Sequence, residues 1–297
     1  MFALFAFLTM TGMALYDTAT DGLALDTTPL EEQGVIQGFM VGGRAAGVVI
    51  VSATIGLLAD NASWHMAFWL LAVLSLAPML LVTKMDEFNH KAGQNFEWKA
   101  FTAFNNRSIL SLAGLGILYS FVIYGANQIV NPYLQKVFNI SITSAGFLTT
   151  LWGIGVIIGG LLCGWLTKTF GQQRSVQFAV VMSLASILAL AVAFNPILAW
   201  SMVVIFGIAF GFYETVYFAL CMQRTDPRIA ASMYSILMAV ANIGTGVSMA
   251  VVGGLVDSVG FSFTFIFLAA SNLIAIPLIG AIFSSKSHPQ TSPLIEE

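Results

Sequence analysis

Three carboxylates and one guanidinium stand inside strongly apolar sequence near the start of this 297-residue chain. Asp17, Asp21 and Asp26 follow Tyr16 in the run Tyr-Asp-Thr-Ala-Thr-Asp-Gly-Leu-Ala-Leu-Asp, and Arg44 lies in the next apolar segment. A charge at bilayer depth is costly, so such groups face a protein interior or a water-filled cavity. Asp17 and Asp21 are four apart, which puts both on one face of a helix. Two readings stand for this pair, and they can coexist. It either takes up protons or a cation, or it forms a structural ion pair with Arg44. Arg44 could instead hold an anionic group of a ligand bidentately, though the sequence favours a partnership with Asp17 or Asp21. Glu214 is a fourth carboxylate in apolar sequence, flanked by Tyr213 and Tyr217. Tyr124, Asn127, Gln128 and Asn131 form another polar group at depth, suited to ligand contact or to bonds between helices. Asp26 reads as a helix-end residue.

The elements that must position these groups are membrane helices. The chain is 58% hydrophobic and 8% charged, against about 25% charged in soluble domains. That implies a multi-pass membrane protein. The formal charge of −3 gives no nucleic-acid footprint. Cys163 and Cys221 fall inside apolar spans and make no disulfide framework. His65, His90 and His288 form no metal-ligand or catalytic cluster, so neither cofactor nor metal is expected. The rule of roughly 20 apolar residues per span predicts nine spans. They lie near 2–25, 33–58, 64–83, 108–130, 144–167, 175–194, 197–223, 230–256 and 261–283, an all-α polytopic bundle. Breaks are predicted at Pro29-Leu-Glu-Glu, Asp60-Asn-Ala-Ser, Gly171-Gln-Gln-Arg, Asn195-Pro196, Asp226-Pro-Arg and Asp257-Ser-Val-Gly.

If the first span runs inward, Lys84, Lys91, Lys99, Arg107, Lys168, Arg174, Arg224, Arg228 and Lys286 share one side. That is nine of the eleven basic residues and predicts a cytoplasmic C-terminus in the cell membrane. The longest hydrophilic stretch, 84–107, separates a three-span segment, 1–83, from a six-span segment, 108–283. A polar tail, 284–297, follows. Trp98, Phe101 and Phe104 in the linker read as a short interfacial helix. Asn61-Ala-Ser and Asn139-Ile-Ser fit the glycosylation pattern.

An offset of 197 residues aligns 16–81 with 213–278 without gaps, with fourteen of sixty-six positions identical. Tyr16 meets Tyr213, Thr18 meets Thr215, Gly47 meets Gly244 and Asp60 meets Asp257. Asp17 meets Glu214. The last three spans read as a copy of the first three in the same orientation.

With this repeat, the chain resembles a major facilitator superfamily transporter, with a match to that family's helices 4 to 12. Gly164-Trp-Leu-Thr-Lys-Thr-Phe-Gly171-Gln-Gln-Arg174 is similar to its loop motif, with Lys168 in place of the Asp and Thr169 in place of the Arg. The resemblance implies that helices 4, 7 and 10 line a substrate path. On that frame the substrate or proton-coupling residues are Asp17, Asp21, Arg44, Tyr124, Asn127, Gln128, Glu214 and Tyr217. It also implies close contact between two halves at Gly43, Gly47, Gly155, Gly159 and Gly244. The run from Asp21 to Arg44 loosely resembles the muropeptide-permease and acetyl-CoA-transporter branch.

The function implied is alternating-access transport of a small organic solute, with protons as a coupling partner and the lipid bilayer as surroundings. Helices 1 to 3 of the resemblance are not matched, so missing helices or a partner chain are expected to complete the cavity. The 297 residues alone are expected not to transport. The alternatives are an integral membrane enzyme acting on a lipid or acyl donor, or a truncated, non-transporting relative. Scattered Ser and Thr without a nucleophile, His or metal cluster weigh against the enzyme.

Overall fold

The computed structural model describes residues 2–61, 64–82, 98–140, 142–193 and 195–284. Among them every regular element is helical. The α-helices are α1 (Phe2–Thr27), α2 (Gln33–Asn61), α3 (Trp64–Val82), α4 (Arg107–Phe138), α5 (Ile142–Phe170), α6 (Gln172–Ala191), α7 (Pro196–Arg224), α8 (Ala230–Val259), α9 (Phe261–Ser271) and α10 (Ala275–Ser284). Among the described residues, seven segments are long and apolar enough to cross a membrane: α2 over 33–51, α4, α5 over 147–170, α6, α7, α8, and α9 with α10 over 261–284. The nine expected spans thus correspond to nine helical segments, of which α1 and α3 are outside that set.

The breaks have local causes. Asn195 caps α7 by accepting from the Leu198 N–H at 2.8 Å, with Pro196 in the first turn, where no donor is lost. Asn106 caps α4 in the same way, from Ser108 at 2.9 Å. That helix ends where Asn139 takes a left-handed φ of 52°. Gly171 and Gly260 separate α5 from α6 and α8 from α9 at φ 79° and 82°, a region that favours glycine. The break expected around Asp257 therefore falls at Gly260. The last expected span is not one continuous α-helix. Pro277 cannot donate to the carbonyl four residues back, and a 3-10 turn, Asn272–Ile274, joins α9 to α10.

The Trp98–Asn105 segment is also helical, but of the 3-10 type. Three residues per turn put Trp98, Phe101 and Phe104 in one row. Their rings stack at 5.8 and 6.3 Å. Most of the expected linker, and the tail from 285, lie outside the described residues. So do Lys84, Lys91, His90, Lys286 and His288.

The core sits among α4 to α10. Gly155 and Gly159 of α5 face the α7 backbone at Val204 and Ile208, while Gly207 and Gly211 of α7 face Trp152 and Val156 of α5. Small residues on both helices let the two backbones touch. Gly244 of α8 lies against Ile117 of α4. The first three helices reach the rest through α2 and α1. Gly38 of α2 packs on Gly160, and Gly34 on Gly164. Gly22 of α1 meets Ala231 of α8.

These contacts correct the expected half-to-half glycines. Gly43 and Gly47 face open space. Gly155, Gly159 and Gly244 pack inside the six-span segment. The cause is helical register. Gly155 and Gly160 are five residues apart, about 140° around α5 at 3.6 residues per turn. One face therefore serves α7 and the other serves α2.

Three helix ends share one end of the bundle. The Arg224 Nη1 at the end of α7 donates to the Ser108 Oγ at the start of α4, 3.3 Å. Ser108 Oγ donates in turn to the Ile282 carbonyl of α10 at 2.9 Å.

Candidate functional site

Helices α1, α4, α7 and α8, with Arg44 of α2, enclose a cavity of about 460 Å³, within the roughly 300–1,000 Å³ of small-molecule sites. Asp17 and Asp21 line it from α1, Tyr119 and Tyr124 from α4, Phe218 from α7, and Tyr234, Ser235 and Asn242 from α8. The four-residue spacing does place both aspartates on one face. Neither carboxylate makes a hydrogen bond or ion pair among the described residues.

The cation of the site is held from the other side. Arg44 Nη1 lies 3.4 Å from the Glu214 Oε1 of α7. The same oxygen accepts a hydrogen bond from the Tyr124 hydroxyl at 2.8 Å. Glu214 is buried, with 4% of its side chain exposed, whereas 48% of the Arg44 side chain is exposed and Arg44 lines the cavity. The guanidinium also lies 5.6 Å from the centre of the Phe218 ring, a cation–π contact. The ion pair expected between Arg44 and Asp17 or Asp21 is thus replaced, among the described residues, by one with Glu214. Glu214 is the repeat counterpart of Asp17, and both act electrostatically on Arg44.

Below the cavity is a buried tyrosine group. The Tyr119 ring lies 5.1 Å from those of both Tyr213 and Tyr217. The Tyr119 hydroxyl lies near the Tyr124–Glu214 pair but meets hydrogen-bond geometry with neither. Gln37 of α2 joins three helices, donating to the Tyr234 hydroxyl of α8 at 3.3 Å and to the Met222 sulfur of α7 at 2.8 Å.

The expected residues therefore divide. Asp17, Asp21, Arg44, Tyr124 and Glu214 come together, and Tyr217 stands behind Tyr119. Asn127 and Asn131 do not join them. They line a separate cavity of about 70 Å³ with Trp152 and Thr149, and Asn131 donates to the Thr149 hydroxyl at 3.2 Å. Gln128 is exposed. Tyr119, Tyr234, Gln37 and Asn242 were not anticipated. A Tyr in apolar sequence gives little signal by itself. Its position one turn and a half from Tyr124 was the available hint for Tyr119.

The chain as a whole is similar to known proteins. Residues 1–238 match the family model for the Major Facilitator Superfamily. The fold is similar to a crystal structure of a bacterial homologue of the iron transporter ferroportin in an outward-facing state. There the TM-score is 0.59 at 15% identity, over 92% of this chain and 69% of that one. It is also similar to the Major Facilitator Superfamily transporter FucP in the outward conformation, with TM-score 0.64, 14% identity, and 89% and 71% of the chains covered. A structure of the E. coli fucose:proton symporter FucP gives TM-score 0.65 at 15% identity, over 89% and 72%. At these identities the likeness is one of fold.

Proposed function

The chain belongs to the Major Facilitator Superfamily, a family of membrane transporters, and on that premise we propose that it moves a small organic solute by alternating access through the cavity around Arg44. It is a transport protein, not an enzyme. The observation that carries the reading is the Arg44–Glu214 pair, which ties α2 to α7 at the wall of a solute-sized cavity. In the proposed division, residues 1–83 and 108–283 belong to two halves, joined by 84–107 and followed by the tail 284–297. Their tightest backbone contact is the close approach of Gly38 to Gly160, with Gly34 against Gly164 beside it. Rocking about that contact would stretch or break a monodentate pair at 3.4 Å. Protonation of Glu214 would remove the attraction and release Arg44, which is the proposed route for proton coupling. The shared face of Arg107, Arg224 and the end of α10 supports a C-terminus on the basic, cytoplasmic side.

The test needs no knowledge of the solute. Cys163 and Cys221 are fully buried and are replaced by Ser. Ala239→Cys then puts one thiol in the cavity wall. A membrane-impermeant maleimide is applied to sealed vesicles from each side in turn. Alternating access predicts labelling from both sides, in a ratio that changes with pH. Glu214→Gln fixes that ratio. Labelling from one side alone at every pH would refute the proposal, and a pH-dependent ratio that survives Glu214→Gln would remove proton coupling from that residue.

A further inference from the structure

The charges around the cavity do not balance. Arg44 is matched by Glu214, which lies behind it. Asp17 and Asp21 line the open side and make no hydrogen bond or ion-pair contact among the described residues, although the Arg44 charge acts on both across the cavity. Counting Asp17, Asp21 and Glu214 against Arg44, the site carries a formal charge of −2 with all four groups ionised. Unmatched charge at membrane depth is costly unless a ligand or water compensates it. The remaining wall is aromatic and thioether-rich, with Tyr119, Tyr124, Phe218 and Tyr234 beside Met13 and Met238. Ring faces attract cations, and methionine adapts to apolar ligands of varied shape. At the cavity wall the buried Tyr119 hydroxyl lies near Tyr124 and Glu214 but completes a hydrogen bond with none of the described residues.

We propose that the solute is an organic cation, an amine or quaternary ammonium with an apolar or aromatic body, whose positive centre seats between the Asp17–Asp21 face of α1 and the aromatic wall from α4, α7 and α8. This rests on the transport reading above and specifies its substrate class. An anion could meet the Arg44 donors that Glu214 leaves open, but it would add to an already negative site and face Asp17 and Asp21 across the cavity. A zwitterion leaves the formal charge at −2. A single cation reduces it to −1 and takes its neutralisation where the carboxylates are free. Asn242 and Ser235 of α8 provide hydrogen bonds for a polar substituent on the body.

Three benzyl compounds of similar size separate the possibilities: benzyltrimethylammonium, benzyl alcohol and benzylsulfonate. Binding of each to the purified full chain is measured by equilibrium dialysis. The cation should bind about tenfold more tightly than either of the others, the worth of a desolvated charge contact with ring faces. Asp17→Asn with Asp21→Asn should weaken the cation about tenfold and leave benzyl alcohol unchanged. The melting profile establishes that the double variant is folded, and the single variants are used if it is not. Tighter binding of the sulfonate, equal binding of all three, no binding of any, or an unchanged cation affinity in folded variants would each overturn the proposal. Its failure is separable from that of alternating access. Two-sided labelling of Ala239→Cys with sulfonate binding rejects the cation alone, whereas cation binding with one-sided labelling rejects the transport cycle alone.

Discussion

Removing Arg44 alone should hurt more than removing both charges of the Arg44–Glu214 pair. Arg44→Ala leaves Glu214 with the Tyr124 hydroxyl as its one hydrogen-bond partner among the described residues, in a position where 4% of the side chain is exposed. Breaking a fully buried pair this way costs about 3–5 kcal/mol. Here the arginine is 48% exposed and the single contact is long, 3.4 Å, so the expected loss is about 1–2 kcal/mol. Glu214→Gln keeps an acceptor for Tyr124 and leaves a cation that already faces the cavity, so it should cost less than about 1 kcal/mol. The double variant loses the Phe218 contact just as Arg44→Ala does, but it strands no carboxylate. It should therefore be more stable than Arg44→Ala alone, with a coupling of about 1 kcal/mol. Apparent melting of the detergent-solubilised chain reads the order, at about 2–4 °C per kcal/mol, with all variants scanned at one rate. A double variant as unstable as the sum of the two singles would mean that Glu214 is not held by Arg44.

Two further predictions test the frame around the site. Ala at Gly38 would put a Cβ 2.6 Å from the Gly160 carbonyl oxygen, whereas Gly43 has nothing within 4 Å. Gly38→Ala should thus destabilise by about 1–3 kcal/mol, and Gly43→Ala should be neutral or stabilising by up to about 1 kcal/mol. The same melting assay distinguishes them, and the reverse order would restore the sequence-based assignment of Gly43. Outside the spans, Asp226 accepts from the Arg228 Nε at 3.0 Å and Nη2 at 2.8 Å. The Arg228 side chain beside it, aided by the Arg228 N–H, holds the carboxyl below its usual range. A depressed carboxylate stabilises the fold above its unfolded pKa, about 4, and loses that contribution as pH falls through the lower folded value. Asp226→Asn keeps the acceptor for the Arg228 N–H but not the charge. It should melt slightly below wild type at neutral pH, by less than about 1 kcal/mol. The gap should narrow as the pH is taken below about 4; a constant gap would assign the effect to packing.

What could be read ahead of the structure depended on how local its cause was. Helices and their ends follow from apolar run length and from a few punctuating residues, such as Asn195-Pro196 and Gly171, so they were legible within a few positions. The i, i+4 relation of Asp17 and Asp21 is a property of one helix and was also legible. The partner of Arg44 was not. Asp17 and Asp21 stand within thirty residues of it, while Glu214 is 170 residues away, and only the rotation of α2 against α7 selects between them. The glycines fail for the same reason. GxxxG spacing says that a helix has a face open to close approach, but α5 has two such faces, and nothing in its own sequence tells Gly155 from Gly160. The 197-residue repeat was the one long-range signal available. By pairing Asp17 with Glu214 it had already named the two carboxylates between which Arg44 stands. The repeat thus supplies the groups, and helix register decides which of them pairs with the guanidinium and which lines the cavity.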